Sequence, residues 1–255
     1  MKILLTNDDG IYTKGIEVLY EHLDKDHEVL VVAPETEQSA VGHAITLTDP
    51  LRVKPINRNG VFFGYAVKGT PADCVKLAIN ELMQPAPDLV VSGINLGANV
   101  GINVIYSGTV SAATEGTILG VPAIAISINT FRDLEFKPAA RFVRLLALQV
   151  EKYGLPPHTS LNVNVPAIPE SEIRGVRITR QGITRFVEKF DRRVDPREHV
   201  YYWQCGSTPP LEEDGDTDAH ALANDCISIT PIHHDLTNYD FLDSLRTWPF
   251  PGISD

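Results

Sequence analysis

The stretch MKILLTNDDG (residues 1–10) decides how the rest of the chain is interpreted. Its apolar part, residues 2–6, predicts a buried strand, and the polar residues 7–10 follow that strand directly. The adjacent carboxylates of Asp8 and Asp9 repel each other, and each needs water or a cation to compensate its charge. A first strand that ends in such a pair predicts a functional site at one edge of a sheet.

Composition restricts the class of protein before any motif is considered. The chain has 255 residues, of which 43% are hydrophobic and 22% charged, as in ordinary globular proteins of one large domain or one domain with an appendage. A formal net charge of −11 argues against binding the phosphate backbone of a nucleic-acid polymer. No apolar run approaches the roughly 18 residues of a membrane span, and the first residues do not resemble a leader, so no membrane partner is expected.

The cysteine pattern predicts a cytoplasmic location. Cys74, Cys205 and Cys226 are far apart in the sequence, odd in number and without CxxC spacing. A disulfide framework or a zinc site is therefore not expected, and a reducing compartment is.

Strand-like and helix-like segments alternate through the first part of the chain. Continuous apolar runs predict strands at residues 28–34, 88–93 and 122–128. Helical spacing of apolar residues predicts helices at residues 16–23, 72–83, 110–119 and 138–153. This alternation indicates an α/β fold, with a mostly parallel sheet covered on both faces by helices. We expect residues 1–155 to form this core.

The pattern changes in residues 156–255. Residues 160–165 alternate polar and apolar side chains, which predicts a half-exposed strand, and residues 226–232 predict another strand. Residues 183–199 are rich in charge and predict a projecting arm or hairpin at about residues 182–200, and residues 206–218 predict a loop. An arm that projects from a core is expected to contact something, most simply a second copy of the chain.

Oxygen-bearing side chains follow three of the predicted core strands. Asp8 and Asp9 follow the first strand, Ser39 lies in the loop after the second, and Asn95 follows the strand at 88–93. Loops at the carboxyl ends of parallel strands meet at the same edge of a sheet. Carboxylate, hydroxyl and amide oxygens suit Mg²⁺ or Mn²⁺. The alternative, an aspartate that caps a helix, accounts for one of the two acids better than for both.

A second candidate site precedes the helix at residues 110–119. Ser107, Gly108 and Thr109 place hydroxyl groups and backbone N–H groups at the start of that helix, where the helix dipole favours an anion such as phosphate. An ordinary serine cap with a tight glycine turn is the alternative. No GxxxxGK[ST] motif and no strand-linked GxGxxG motif occurs here, so P-loop and dinucleotide-binding functions lose support.

Six motifs together resemble the SurE (survival protein E) family of metal-dependent 5′/3′-nucleotidases. They are NDDG (7–10), PETEQSAVGHAIT (34–46), KGTPADCV (68–75), SGINLGANVG (92–101), YSGTVSAATEG (106–116) and SITPIHHDLT (228–237). Each motif is weak alone, but six in the expected order are specific. One departure is visible at Asp225-Cys226, where the family often has a glycine and a bulky residue.

The resemblance implies a Rossmann-like three-layer core with one divalent cation per subunit, held by Asp8, Asp9, Ser39 and Asn95. It also implies C-terminal segments exchanged between the subunits of a homodimer, often with assembly into a homotetramer. The implied reaction is hydrolysis of nucleoside 5′-monophosphates, and in some members of 3′-nucleotides or short polyphosphate.

Roles in such a reaction can be assigned to particular residues. Asn95, Ser107, Gly108 and Thr109 would bind the phosphate, while Asp8 or Asp9 would orient the attacking water. His43, in the loop of Ser39, and His233, after the last strand, are candidates for the general acid.

Three other functions were weighed against this one. A dehalogenase-type phosphatase needs DxD spacing, which the adjacent aspartates lack. A nucleophilic role for Ser39 finds no GxSxG elbow. A non-catalytic module that senses a nucleotide or phosphate remains open.

Overall fold

The computed structural model describes residues 1–130, 135–207 and 215–250. The helices and strands, in chain order, are β1 (Lys2–Thr6), α1 (Lys14–Leu23), β2 (Glu28–Pro34), β3 (Arg52–Arg58), β4 (Val61–Lys68), α2 (Pro71–Leu77), β5 (Leu89–Leu96), α3 (Gly108–Ile118), β6 (Ala123–Ile128), α4 (Lys137–Tyr153), β7 (Ser160–Val165), β8 (Gly175–Ile178), β9 (Val187–Val194), β10 (Val200–Ser207), α5 (Asp218–Ala223), β11 (Cys226–Ile232) and α6 (Tyr239–Arg246). A π-helical turn at Ala78–Leu82 extends α2, and 3₁₀ turns occupy Gly101–Ile105 and Glu170–Glu172. The predicted α/β class is confirmed.

Nine of these strands form one mixed sheet in the order β3-β4-β2-β1-β5-β6-β7-β11-β8. Strands β4, β2, β1, β5, β6 and β7 run parallel. Strand β3 pairs antiparallel with β4 at one edge, and β11 pairs antiparallel with β7 towards the other. The chain leaves β1 in one direction to form β2 and returns to the other side of β1 to form β5, so a topological switch point lies between β1 and β5.

Helices cover both faces of the sheet and make three layers. On β1, Ile3 and Leu5 pack in one apolar cluster with residues of α1 and α4, while Leu4 packs in a second cluster with residues of α2 and α3. Successive side chains of a strand point to opposite faces, so a strand between two helical layers needs apolar residues at every position. This requirement explains why the core strands are continuous apolar runs.

Some elements differ from the sequence-based expectation. The strand predicted at 88–93 continues to Leu96, with an irregular register between Ser92 and Asn95, so part of the expected loop is strand. The half-exposed strand predicted at 160–165 is in fact buried apart from a partly exposed Leu161, because Val163 and Val165 pack in an apolar cluster on one face and the chain at Asn99 covers the other. Its asparagines face polar partners inside the protein.

The predicted arm is present as the antiparallel hairpin β9–β10, which forms a separate two-stranded sheet. The hairpin extends to Ser207, beyond the expected end at about residue 200. The loop expected at residues 206–218 therefore begins later. It also ends earlier, because Asp218 starts α5, and residues 208–214 lie outside the described part of the chain.

The C-terminal part contributes β7, β8 and β11 to the same sheet as the first part, followed by α6, none of whose residues is buried. Asp225, at the departure from the family pattern, has a φ of 57°, a left-handed conformation that aspartate tolerates better than most residues. Among the described helices, none is long and apolar enough to cross a membrane.

Candidate functional site

A cavity of about 810 Å³ opens at the carboxyl ends of the parallel strands, at the switch point between β1 and β5. It is bordered by the end of β5, by the loops after β1, β2 and β5, and by the starts of α1 and α4. The lining residues are Asp8, Asp9, Thr13, Lys14, Gly15, Glu37, Ser39, Ala40, Ile94, Asn95, Leu96, Gly97, Ala98, Asn99, Asn103, Tyr106, Ser107 and Phe136. The four residues proposed as metal ligands, Asp8, Asp9, Ser39 and Asn95, thus line one cavity.

Hydrogen bonds hold the loop that carries the two aspartates. The buried Asn7 side chain accepts from the Gly10 N–H at 3.1 Å and donates to the Gly10 carbonyl at 3.0 Å. It also donates to the Thr13 hydroxyl at 3.0 Å, and the Gln38 N–H donates to the Asp8 carbonyl at 2.7 Å. The backbone of the aspartate pair is therefore positioned by protein contacts alone.

Asp8 contacts the start of α3. The Thr109 hydroxyl donates to Asp8 Oδ1 at 2.6 Å, inside the protein. A Cβ atom on Gly108 would lie 2.8 Å from Asp8 Cβ, so only glycine lets the helix approach the carboxylate this closely. Neither Gly108 nor Thr109, predicted as phosphate ligands, lines the cavity; the structure directs the Thr109 hydroxyl to Asp8.

Burial makes the aspartate pair unfavourable as two free anions. It raises the pKa of Asp9 from 3.8 to about 7, with further increases from the charges of Asp8 and Glu37. Burial also raises the pKa of Asp8, although hydrogen bonds from Thr109 act in the opposite direction. The pair therefore retains a proton more readily than ordinary carboxyl groups do, and a bound cation would compensate the same charge.

The other two oxygen donors differ in exposure. Ser39 is exposed, and its hydroxyl donates to Glu37 Oε1 at 2.6 Å. Asn95 is half-buried, and its Nδ2 donates to the Gly97 carbonyl at 2.7 Å. This bond fixes the amide so that its oxygen is the free end, and that oxygen accepts no hydrogen bond from the described residues.

Residues 97–107, which we call the substrate loop, rest on a buried polar network. The Asn99 N–H donates to Asn164 Oδ1 at 2.8 Å, and the Asn99 side chain donates to the Ser127 hydroxyl at 2.8 Å. Asn162 and Asn164 both donate to the Asn99 carbonyl, at 2.8 and 3.1 Å. Because buried polar groups are costly when unpaired, this network specifies one position for the loop.

Ser107, at the end of the substrate loop, is the N-cap of α3. Its hydroxyl accepts from the Val110 N–H at 3.1 Å. This is the ordinary serine cap that was the alternative to an anion site. Ser107 also lines the cavity, so the positive end of α3 faces the site. Capping and anion binding are compatible here, since the cap uses the side chain of Ser107 and leaves the helix dipole unchanged.

His43 does not line the cavity. Its Nε2 donates to Glu115 Oε2 at 2.7 Å, and the Lys76 ammonium donates to the other oxygen of Glu115 at 3.0 Å. These contacts lower the pKa of the buried Glu115 against the effect of burial. The structure thus gives His43 a contact that ties its loop to α2 and α3.

His233 lies at the end of the sheet opposite to the aspartates, near the amino ends of the parallel strands. It follows β11, which runs antiparallel to β7, and the register pairs Ile232 with Ser160 at the beginning of β7. The aspartates, in contrast, follow the carboxyl end of β1. His233 is exposed, and its Nδ1 accepts from the Asp235 N–H at 3.1 Å. The structure therefore does not bring His233 to the site of its own chain.

The cavity also contains residues that the sequence patterns did not indicate. Glu37 contacts Ser39, Lys14 is the only lining cation among the described residues, and Phe136 and Tyr106 add aromatic surface. Glu37 lies two residues before Ser39, in the loop that follows β2. The position of this loop after a parallel strand is therefore the sequence signal that could have indicated Glu37. Phe136 reaches the site only through the packing of α4. Among the described residues, no three His, Cys, Asp or Glu side chains converge as a metal site.

Comparison with known proteins gives a consistent result. The family model "Survival protein SurE" matches residues 3–188. The chain is 62% identical to the 5′-nucleotidase SurE of Syntrophobacter fumaroxidans, over 97% of this chain and 99% of that one. It is 59% identical to the protein of the same name from Syntrophus aciditrophicus, over 96% and 93%. The crystal structure of the SurE protein from Aquifex aeolicus matches with a TM-score of 0.86 and 40% identity, over 96% and 98%.

Proposed function

This chain belongs to the SurE family, and we propose that it is a 5′-nucleotidase that hydrolyses nucleoside 5′-monophosphates to a nucleoside and inorganic phosphate. The observation that carries the proposal is the cavity of oxygen donors at the sheet's switch point, in a chain that is 62% identical to a 5′-nucleotidase over nearly its whole length. A cavity of about 810 Å³ has room for a nucleoside monophosphate.

The proposal includes one divalent cation, Mg²⁺ or Mn²⁺, held by Asp8, Asp9, Ser39 and Asn95. The donor set fits such an ion, because it consists of hard oxygens without thiolate or imidazole. Two further observations support the fit: burial raises the pKa of both aspartates, and the amide oxygen of Asn95 has no partner among the described residues. When bound, the cation would supply positive charge against the phosphate and lower the pKa of water.

The protein's own groups would perform the remaining tasks. Thr109 holds the Asp8 carboxylate in one orientation through its hydroxyl. The start of α3, where Ser107 lines the cavity, would attract the phosphate through the positive end of the helix dipole. Asp9, which lines the cavity beside Asp8, would orient the attacking water while it holds the cation.

Three groups are candidates for the general acid. His43 would have to exchange its contact with Glu115 for one with the substrate. His233 would have to act in the site of a second copy of the chain. Lys14 lines the cavity, and its Nζ donates to Glu17 Oε2 at 2.9 Å.

Wider properties of the family are proposed for this chain as well. They include activity on 3′-nucleotides and short polyphosphate, assembly into a homodimer or homotetramer through the exposed arm and C-terminal segment, and a cytoplasmic location. The arm supports assembly because every residue of β9 and β10 is exposed in the single chain. Three free cysteines support a reducing compartment.

One experiment separates catalysis from the alternative of a phosphate-sensing module. Protein dialysed against EDTA is assayed for phosphate release from AMP, GMP, 3′-AMP and polyphosphate, with and without added Mn²⁺ or Mg²⁺. We expect release from the 5′-monophosphates only with added metal. Binding of AMP by calorimetry without phosphate release under any metal condition would support the sensor instead.

A further inference from the structure

We propose that Asp218 is a positioning residue for the reaction, because its carboxylate joins the substrate loop to the base of the arm. The inference rests on the proposed function and concerns residues that do not line the cavity. Asp218 is completely buried at the start of α5. Its Oδ2 accepts from the Gly101 N–H at 2.9 Å, and its Oδ1 accepts from the Gly182 N–H at 3.0 Å. One side chain thus binds both segments at the same time.

Further contacts join the same two segments. The Gln181 side chain donates to the Gly101 carbonyl at 2.8 Å, and the Ile102 N–H donates to the Thr184 carbonyl at 2.9 Å. A Cβ atom on Gly101 would lie 2.2 Å from the Thr184 carbonyl oxygen, so glycine is required for this approach. We call the contacts among Gly101, Gln181, Gly182 and Asp218 the clamp.

Apolar packing places α5 beneath the same loop. Val100 packs with Ala219 and Leu222 of α5 in a small buried cluster, and Ala98 lies against that cluster. Ala98 also lines the cavity, as do Asn99 and other residues of the substrate loop. The cavity wall therefore rests on α5, and the clamp fixes where α5 and the loop meet.

The clamp connects the cavity to the arm along the chain. Gln181 and Gly182 lie five to six residues before β9, while Asp218 follows β10 and the short segment after it. Both ends of the arm thus return to the substrate loop. A weakened clamp allows the substrate loop to occupy several positions. If the substrate binds only one of these positions, a smaller fraction of the protein molecules is able to bind it at any moment. KM then rises in inverse proportion to that fraction, while turnover of the bound complex changes little.

The test compares Asp218→Asn with Asp216→Asn in the full-length protein. Asp216 is mostly exposed and contacts the base of the arm through Arg180, at 3.0 Å, without a hydrogen bond to the substrate loop. For AMP hydrolysis we expect Asp218→Asn to raise KM about tenfold and to change kcat by less than about threefold. Asp216→Asn should keep KM within about twofold of the original protein.

Hydrogen exchange supplies a readout that does not depend on activity. In Asp218→Asn, amides of residues 97–107 and 180–184 should exchange faster together, while those of β1 and β5 keep their protection. If Asp218→Asn does not fold, Gln181→Ala removes one clamp contact and should raise KM and loop exchange in the same direction by a smaller factor. Faster exchange throughout the protein would indicate a general loss of stability and overturn the proposal.

Kinetic outcomes separate this proposal from the proposed function. Phosphate release by the original protein is measured first, and its absence would refute the nucleotidase function while hydrogen exchange still decides the clamp. With an active original protein, an unchanged KM in Asp218→Asn, or an equal rise in Asp216→Asn, would refute the role of Asp218. A fall in kcat at constant KM would also contradict it.

Discussion

The nine-stranded sheet and the arm use the same kind of backbone pairing but bury their side chains very differently. Strand β6 is buried at each of its six positions, whereas every residue of β9 and β10 is exposed. The arm carries Phe190, Tyr202 and Trp203 on these exposed faces. A two-stranded hairpin is marginally stable by itself, so exposed aromatic residues on it are expected to gain stability from another surface.

The contrast separates two sources of order. The core fixes its strand register by burying apolar residues on both faces, and this register places the aspartates at the switch point. The arm fixes its register mainly through backbone pairing, with a cross-strand contact from Cys205 Sγ to the Lys189 carbonyl at 3.1 Å, and buries none of its residues within one chain. Activity should therefore depend strongly on substitutions at the carboxyl ends of the core strands. Substitutions in the arm should affect activity only through assembly or through the clamp.

The largest effect on activity is expected at the carboxyl ends of the core strands, where Asp8 lies. Asp8→Asn should lower kcat/KM for AMP at least about 10³-fold, because it removes a negative charge from the proposed cation ligands and weakens the hydrogen bond that Thr109 donates. Asp191→Asn makes the same chemical change on the exposed arm and should leave kcat/KM unchanged. Steady-state phosphate release at saturating Mn²⁺ measures both. Comparable losses in the two variants would contradict the division between core and arm.

The next effect concerns assembly through the arm. Trp203 is 60% exposed in the single chain, and Trp203→Asp should weaken self-association about 100-fold if the arm contacts a second copy. Leu145, 58% exposed on α4, provides a matched position on the core, and Leu145→Asp should leave association unchanged. Sedimentation equilibrium gives both constants. Equal weakening by both substitutions, or none by either, would reject the arm as the interface.

A smaller effect is expected from removing two methyl groups in each sheet. Val91 on β5 is completely buried, and Val91→Ala should lower the free energy of unfolding by about 2 kcal/mol. Val194 on β9 is 52% exposed, and Val194→Ala should cost less than about 0.5 kcal/mol. Urea unfolding at low protein concentration compares the two. A larger loss at Val194 would mean that the arm packs against the rest of the chain.

The same contrast explains which elements could be predicted from the sequence. Strands such as Glu28–Pro34 and Ala123–Ile128 carry continuous apolar runs because helices cover both of their faces. Strand β3, with Lys54, Pro55 and Asn57, lies at the edge of the sheet and has no such run, and it was not predicted. The four-residue β8, at the other edge, is exposed throughout and equally lacks a signal.

The site was predictable where it depends on strand ends. Asp8 and Asn95 follow or end adjacent parallel strands, so topology alone brings them to one cavity. The position of His233 was not predictable, because apolar alternation does not tell whether β11 runs parallel or antiparallel to its neighbour. The direction of the His43 side chain depends on the buried Glu115, which belongs to a distant helix.

The smallest effect tests the charge of the aspartate pair without metal. Asp9 has a pKa of about 7 in the folded protein and about 3.8 when unfolded, so the folded state binds its proton more tightly. Stability from this group is complete below about pH 4 and is lost as the pH rises through about 7. In EDTA at pH 8, Asp9→Asn should therefore melt several degrees higher than the original protein. At about pH 5 the difference should be much smaller, because Asp9 is largely protonated in the folded state.

Exposed Asp49→Asn is the control, with no pH-dependent gain expected. Added Mn²⁺ should reverse the order at pH 8, since the ion stabilises only the folded state that binds it. An equal difference at both pH values would show that the gain comes from the amide's own contacts and that charge repulsion at the core's edge is not its cause.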